Sequence, residues 1–134
     1  AYLNSIADIL KNDLLDFPQQ LNTAASLEEQ FPYFTAKGRQ YKSSFEKVGA
    51  LSVPATWIET HKVILSILSK LAKNYKNMTL YNEDVLKSYL AVNEIPNIGL
   101  EIKSTIKSVQ AKISDENLTL DNNFYTVLSL IYKD

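Results

Sequence analysis

His61 is the only histidine in the chain, so it is the first residue to test for chemistry. An imidazole can act as a general base or as a metal ligand. A metal site needs three or four converging donors, and the chain offers no second imidazole and no cysteine. Glu59 lies two residues away, which on a helix turns it toward a different face. A Ser-His-acid triad needs an exposed serine elbow, and the chain has neither a G-x-S-x-G run nor the strands such an elbow tops. The sequence therefore predicts a packed, hydrogen-bonded His61 and no catalytic, cofactor-binding or metal-binding residues.

Aromatic residues are the second candidate set. Trp57 stands one turn before His61, and Tyr33, Tyr41, Tyr75, Tyr81, Tyr89, Tyr125 and Tyr132 are spread along the chain. Tyrosine is amphipathic and commonly sits at the rim of a core with its hydroxyl wet. Core or rim is the expected role, with an aromatic patch for a partner as the alternative. If a pocket opens between helices, Trp57, His61, Tyr75 and Arg39 are its candidate polar and aromatic lining.

Charged residues carry less. Lys70, Lys73 and Lys76, and Lys103, Lys107 and Lys112, read as solvated helix faces, because acidic residues are as numerous as basic ones (15 against 14). Arg39 is the only arginine, and net charge is -1. Nucleic-acid binders favour a basic face and arginine forks, so nucleic acid is not an expected partner. The adjacent carboxylates Glu28-Glu29 and Glu83-Asp84 lie where helix starts favour negative charge; glycosidic acid/base work needs carboxyls facing across a cleft. Asn77-Met78-Thr79 and Asn117-Leu118-Thr119 have the N-glycosylation acceptor form, and Met78 falls on an apolar seam that disfavours a glycan beside it.

These residues must be positioned by helices. The chain has 134 residues, three Gly and four Pro, a low content of turn formers. One domain spanning residues 1–134 is expected. Its longest apolar stretch, Val63-Ile64-Leu65-Ser66-Ile67-Leu68, is bounded by Lys62 and Lys70, far short of the roughly 20 residues of a membrane span. The first residue is Ala1 rather than Met; an expression boundary is the simpler reading, and a mature end after signal removal the other.

Trp57, His61, Ile64, Leu68, Leu71, Tyr75 and Met78 are spaced 4, 3, 4, 3, 4, 3, the rhythm of a helix packed lengthwise on others. Ile58, Leu65 and Ala72 widen that stripe; Glu59, Lys62, Ser66, Ser69, Lys73 and Lys76 oppose it. Pro54 suits the first helical position, with Ser52 or Val53 at the cap. A following segment opens at Asn82-Glu83-Asp84 and places Leu86, Leu90, Ala91, Ile95, Ile98, Ile102, Ile106, Val109 and Ile113 on a stripe. Pro96 interrupts it, predicting a kinked long helix, or two helices breaking near Asn93 to Asn97. Phe34, Gly38, Tyr41, Phe45 and Val48 mark a helix from about Pro32 to Val48, and the short link to Pro54 makes its successor an antiparallel neighbour. Leu3, Ile6, Ala7, Leu10 and Leu14 mark a first helix ending near Asp16-Phe17-Pro18. Ser26-Leu27-Glu28-Glu29 has the capping-box form, which predicts a short helical turn at 26–31. Phe124, Val127, Leu128 and Ile131 mark a short last helix, capped by Thr119 or Asp121. No run alternates apolar and polar long enough for a strand. The expected fold is all-α: an antiparallel bundle of about four main helices with a kink near Pro96.

Tyr41, Leu51-Ser52-Val53-Pro54 with Trp57, His61-Lys62, and Asn82-Glu83-Asp84-Val85-Leu86-Lys87 stand in an order similar to that of a group of uncharacterised helical proteins of small-genome bacteria of the candidate phyla radiation. The resemblance covers roughly residues 33 to 113. The chain departs from it in carrying Asn-Glu-Asp-Val where an Asp-Pro pair is common, and in carrying Pro96, so the resemblance does not support a helix break there. It implies an exported or membrane-anchored protein, with an N-terminal hydrophobic segment upstream, and a role not assigned. The residues and the resemblance together leave three functional expectations: first a non-enzymatic structural or protein-interaction module, second a ligand-sensing bundle like extracytoplasmic receptor domains, and last an enzyme that uses His61.

Overall fold

The computed structural model of the chain describes residues 2–15 and 30–116, all of them helical or in short connections. Four α-helices occupy the described residues: α1 (Tyr2–Leu15), α2 (Phe31–Gly49), α3 (Ile58–Met78) and α4 (Val85–Asp115). Among the described residues there is no strand. The expected capping box at Ser26 to Glu29 and the expected last helix from Asp121 lie outside the described residues.

α3 is the central element. Its seam residues from Trp57 to Met78 are all buried, and Ile67 joins them. Burying an apolar side chain of this size stabilises a fold by roughly 1.5–3 kcal/mol, so one face of α3 is held firmly. Its Glu59, Lys62, Ser66, Ser69, Lys73 and Lys76 face water. Ile58 does not widen the buried stripe; it is exposed, whereas Leu65 and Ala72 pack on the core. Pro54 does not open the α-helix. It precedes a 3-10 turn, Ala55–Trp57, in which the Trp57 amide donates to the Pro54 carbonyl (2.9 Å), and α3 begins one residue later.

α2 lies antiparallel to α3. Phe34 and Tyr41, in its first and middle turns, meet Tyr75 near the end of α3, and Gly49 at its end approaches Leu65. Gly38 faces the Ala72 carbonyl and the Tyr75 Cβ, where an added methyl would stand 3.6 Å from each. The expected stripe on α2 is corrected at one position. Phe45 is exposed, and Ser44 is buried in its place, because Ser44 and Gln40 both donate to the Asp13 carboxylate on α1. On α1, Tyr2, Leu3, Ile6, Ala7 and Leu10 are buried.

α4 returns antiparallel to α3. Ser88 at its start donates to the Met78 carbonyl (2.9 Å), Lys70 and Glu101 pair at 2.9 Å, and Lys112 near its end reaches Trp57. Asp84 is the N-cap, accepting from the Lys87 amide at 3.0 Å. It caps the helix, rather than sitting inside the first turn as the Asn82-Glu83-Asp84 start implied. α4 runs as one helix through Pro96, so the division into two helices near Asn93 to Asn97 is set aside and no break marks the expected kink. Pro96 is exposed, and buried Ile95 and Ile98 hold the helix to the core on both sides of it. The stripe on α4 also differs from expectation. Ala91, Ile95, Ile98, Val109 and Ile113 are buried and Ile102 and Ile106 pack against them, but Leu86 and Leu90 are exposed. At about 100° per residue, a helix that buries Ala91 and Ile95 must turn Leu86 and Leu90 outward.

Candidate functional site

Two clusters at opposite ends of α3 hold the residues singled out by type. The first is built around His61. The 3-10 turn swings Trp57 under the start of α3, and α1 brings Tyr2 across. The Tyr2 hydroxyl lies 2.7 Å from His61 Nδ1. The Tyr2 ring stands 6.4 Å from the Trp57 ring and 5.8 Å from the imidazole. On the other side, Lys112 places its ammonium 4.6 Å from the Trp57 ring centre and donates to the Thr56 carbonyl. Lys112, half-buried, is therefore more than a solvated surface lysine; it closes the turn as a cation over the indole face.

Burial holds the His61 imidazole below its ordinary pKa and pushes the Tyr2 phenol above its own. Both groups are neutral at pH 7. With the proton on Nε2, the phenol donates to Nδ1 and occupies the imidazole's one lone pair. A base whose lone pair is engaged by a structural partner is poorly placed to take a proton from a substrate. Among the described residues, no group of three or more His, Cys, Asp or Glu gathers to hold a metal ion. The packed, hydrogen-bonded reading of His61 fits this geometry.

The second cluster surrounds Tyr75. Its ring packs on Tyr41 (5.6 Å), on Phe34 (5.9 Å) and edge-on to Tyr33 (6.4 Å). Lys37, buried on α2, stands 5.9 Å over the Tyr33 ring and 5.8 Å over the Tyr41 ring. The Tyr75 hydroxyl is fully buried and has no hydrogen-bond partner among the described residues. Burial, and secondarily Tyr33, push its pKa far up, so it stays a neutral phenol.

Trp57, His61, Tyr75 and Arg39 do not form one pocket. His61 and Tyr75 are 14 positions apart on α3, which at 1.5 Å per residue separates them by about 21 Å. Arg39 is exposed on α2, between the buried Lys37 and Tyr41 and turned away from both. Tyr2 and Lys112 complete the His61 cluster, and sequence reasoning did not connect them to it. Tyr2 had a local signal, since it opens the apolar face of α1. Its pairing with a residue 59 positions on had none. Met78, in the first acceptor-like tripeptide, is fully buried, and the Thr79 hydroxyl donates to the Lys76 carbonyl at 2.6 Å.

A third feature lies on the back of α4. Leu86 is 69% exposed, Leu90 61% and Leu100 66%, and Tyr89 is half exposed. Helical phase puts these four on one side, opposite Ala91, Ile95 and Ile98, with Asn93 and Asn97 between them. No charged residue falls on that strip from Leu86 to Leu100. Comparison of the chain with protein-family models, with curated proteins and with solved structures finds no match in any of the three.

Proposed function

We propose that the chain is a non-enzymatic structural or protein-interaction module of an exported or membrane-anchored bacterial protein. The observation that carries the interaction reading is the uncharged apolar strip on the outside of α4. Three leucines at least 61% exposed on one helix face are costly in water unless something covers them, and apolar surface gathered on one face marks interaction sites. Engagement of His61 by Tyr2 supports the non-enzymatic reading. Among the described residues no helix is long and apolar enough to cross a membrane; export and anchoring rest on the family resemblance alone.

A photo-crosslinking residue at Leu90, in cells that make the protein, tests the interaction reading. A defined protein adduct at Leu90 and none at Ser69, on the water face of α3, is the expected result. Equal or absent labelling at the two positions would remove the reading. Fractionation of the same cells tests export, and recovery of the protein only with cytoplasmic markers would contradict it.

The alternative is an extracytoplasmic ligand-sensing bundle. It is favoured by the unpartnered Tyr75 hydroxyl, which a polar ligand atom would satisfy. Thermal shift against a metabolite library tests it. A compound that raises Tm for the unaltered chain and not for Tyr75→Phe supports sensing, and no shift with any compound counts against it.

A further inference from the structure

We propose that the outer face of α4 binds a second copy of this chain, helix against helix and antiparallel. This rests on the interaction reading above and names the partner. The charge pattern beside the strip supplies the reason. Lys87, Glu94 and Glu101 recur every seven residues along one edge of the apolar face. When two copies of α4 meet about a two-fold axis near Asn93 and Glu94, this edge of one copy lies along the same edge of the other, in reverse order. Lys87 then stands opposite the partner's Glu101, and the contact occurs twice by symmetry. In the same register Leu90 packs against the partner's Leu100, again twice, with Asn93 and Asn97 at the centre. A two-fold interface is self-complementary in this sense.

A parallel pair is less complementary. It would set the charged edge against the edge carrying Tyr89, Pro96 and Lys103, so that Lys87 and Glu94 face uncharged residues and only Glu101 meets a lysine, one that already interacts within its own chain. Glu101 already pairs with Lys70 of its own chain, but both side chains are more than 40% exposed, so the carboxylate retains a free side. The polar asparagines at the centre fix register at some cost in strength. The strip spans four turns of one helix, less than a standard interface of about 800 Å² per partner. The dimer is therefore weak and concentration-dependent.

Sedimentation equilibrium of the unaltered chain, together with single-cysteine variants, tests the proposal. The chain has no cysteine, so each introduced thiol reports alone. Asn93→Cys, beside the axis, is expected to form a disulfide-linked pair much faster than Ser69→Cys. Leu86→Cys alone is expected to link slowly, and together with Leu100→Cys quickly. Leu90→Lys is expected to weaken association about tenfold or more without lowering Tm, since Leu90 is exposed. Glu94→Gln, which removes a like-charge meeting near the axis, is expected to tighten it. A chain that sediments as a monomer at every concentration, with Asn93→Cys linking no faster than Ser69→Cys, overturns the proposal. If that monomer is nonetheless crosslinked through Leu90 to a different protein, the interaction reading stands and only the second copy falls. If Leu90 captures nothing either, both fall. Fastest self-linking by Leu86→Cys overturns the register and with it the charge argument.

Discussion

The Tyr2 hydroxyl and His61 Nδ1, 59 positions apart in the chain and 2.7 Å apart in space, tie α1 to the start of α3. This contact and the Asp13 carboxylate, which accepts from Ser44 and Gln40, are polar attachments of α1 to the rest of the bundle. Tyr2→Phe leaves a buried imidazole nitrogen without its donor, which costs about 1–3 kcal/mol. Urea denaturation should show that loss, and protease susceptibility should rise first within α1. Unchanged stability and protection would show that the Tyr2–His61 hydrogen bond contributes nothing to holding α1.

Asp13→Asn tests a second attachment. The isosteric amide keeps the shape but offers only one acceptor oxygen to two donors, Ser44 and Gln40. A loss of about 1–2 kcal/mol in urea is expected. No loss would mean that solvent satisfies those donors as well as the carboxylate does.

The stability of the fold should depend on pH through one imidazole. Burial lowers the His61 pKa in the folded state relative to the unfolded chain, where it lies near 6.5. The unfolded state therefore binds more protons once pH falls below about 6.5, and stability decreases on acidification through that range. Above it the contribution is flat. His61→Gln should remove this slope between pH 7.5 and 5.5 in urea midpoints, while carboxylate titration further down remains. An equal slope in the variant would assign it to other groups.

Gly38 sits inside α2 where that helix approaches α3, yet a methyl at this position meets Ala72 and Tyr75 at 3.6 Å, an ordinary contact distance. Gly38→Ala should stabilise by roughly 0.5–1 kcal/mol through helix propensity. Gly38→Leu should destabilise, because its further atoms have no room against the Ala72 carbonyl. Thermal melts of the two variants moving in the same direction would contradict this packing.

The Tyr75 hydroxyl contributes no hydrogen bond to offset its removal from water. Tyr75→Phe should be neutral or stabilise by up to about 1 kcal/mol. A clear loss of Tm would reveal a polar partner for the hydroxyl, and would favour the ligand-sensing reading.

Much of the fold was legible in the residues. The seven-residue rhythm from Trp57 to Met78 specifies a helix buried along one side, because a helical backbone is what brings those side chains onto one face. All seven are buried. The all-helical class, the antiparallel meeting of α2 and α3 and the packed state of His61 follow from equally local features: short links, missing strand patterns and missing co-ligands.

What the tertiary structure decided was phase and partnership. Apolar residues on α4 fit two helical stripes that overlap near Leu90 and Ala91; contact with α3 and the Ser88–Met78 hydrogen bond selected the one that exposes Leu86 and Leu90. On α2, the Asp13 carboxylate drew Ser44 inward and left Phe45 outside. Pro96 could have broken α4, but its exposed position and buried neighbours kept the helix whole. Periodicity records which residues share a face, since neighbours along a helix are fixed by its geometry. It does not record which of two faces meets another element, or that a phenol at position 2 will find an imidazole at position 61, because those choices depend on contacts between distant segments.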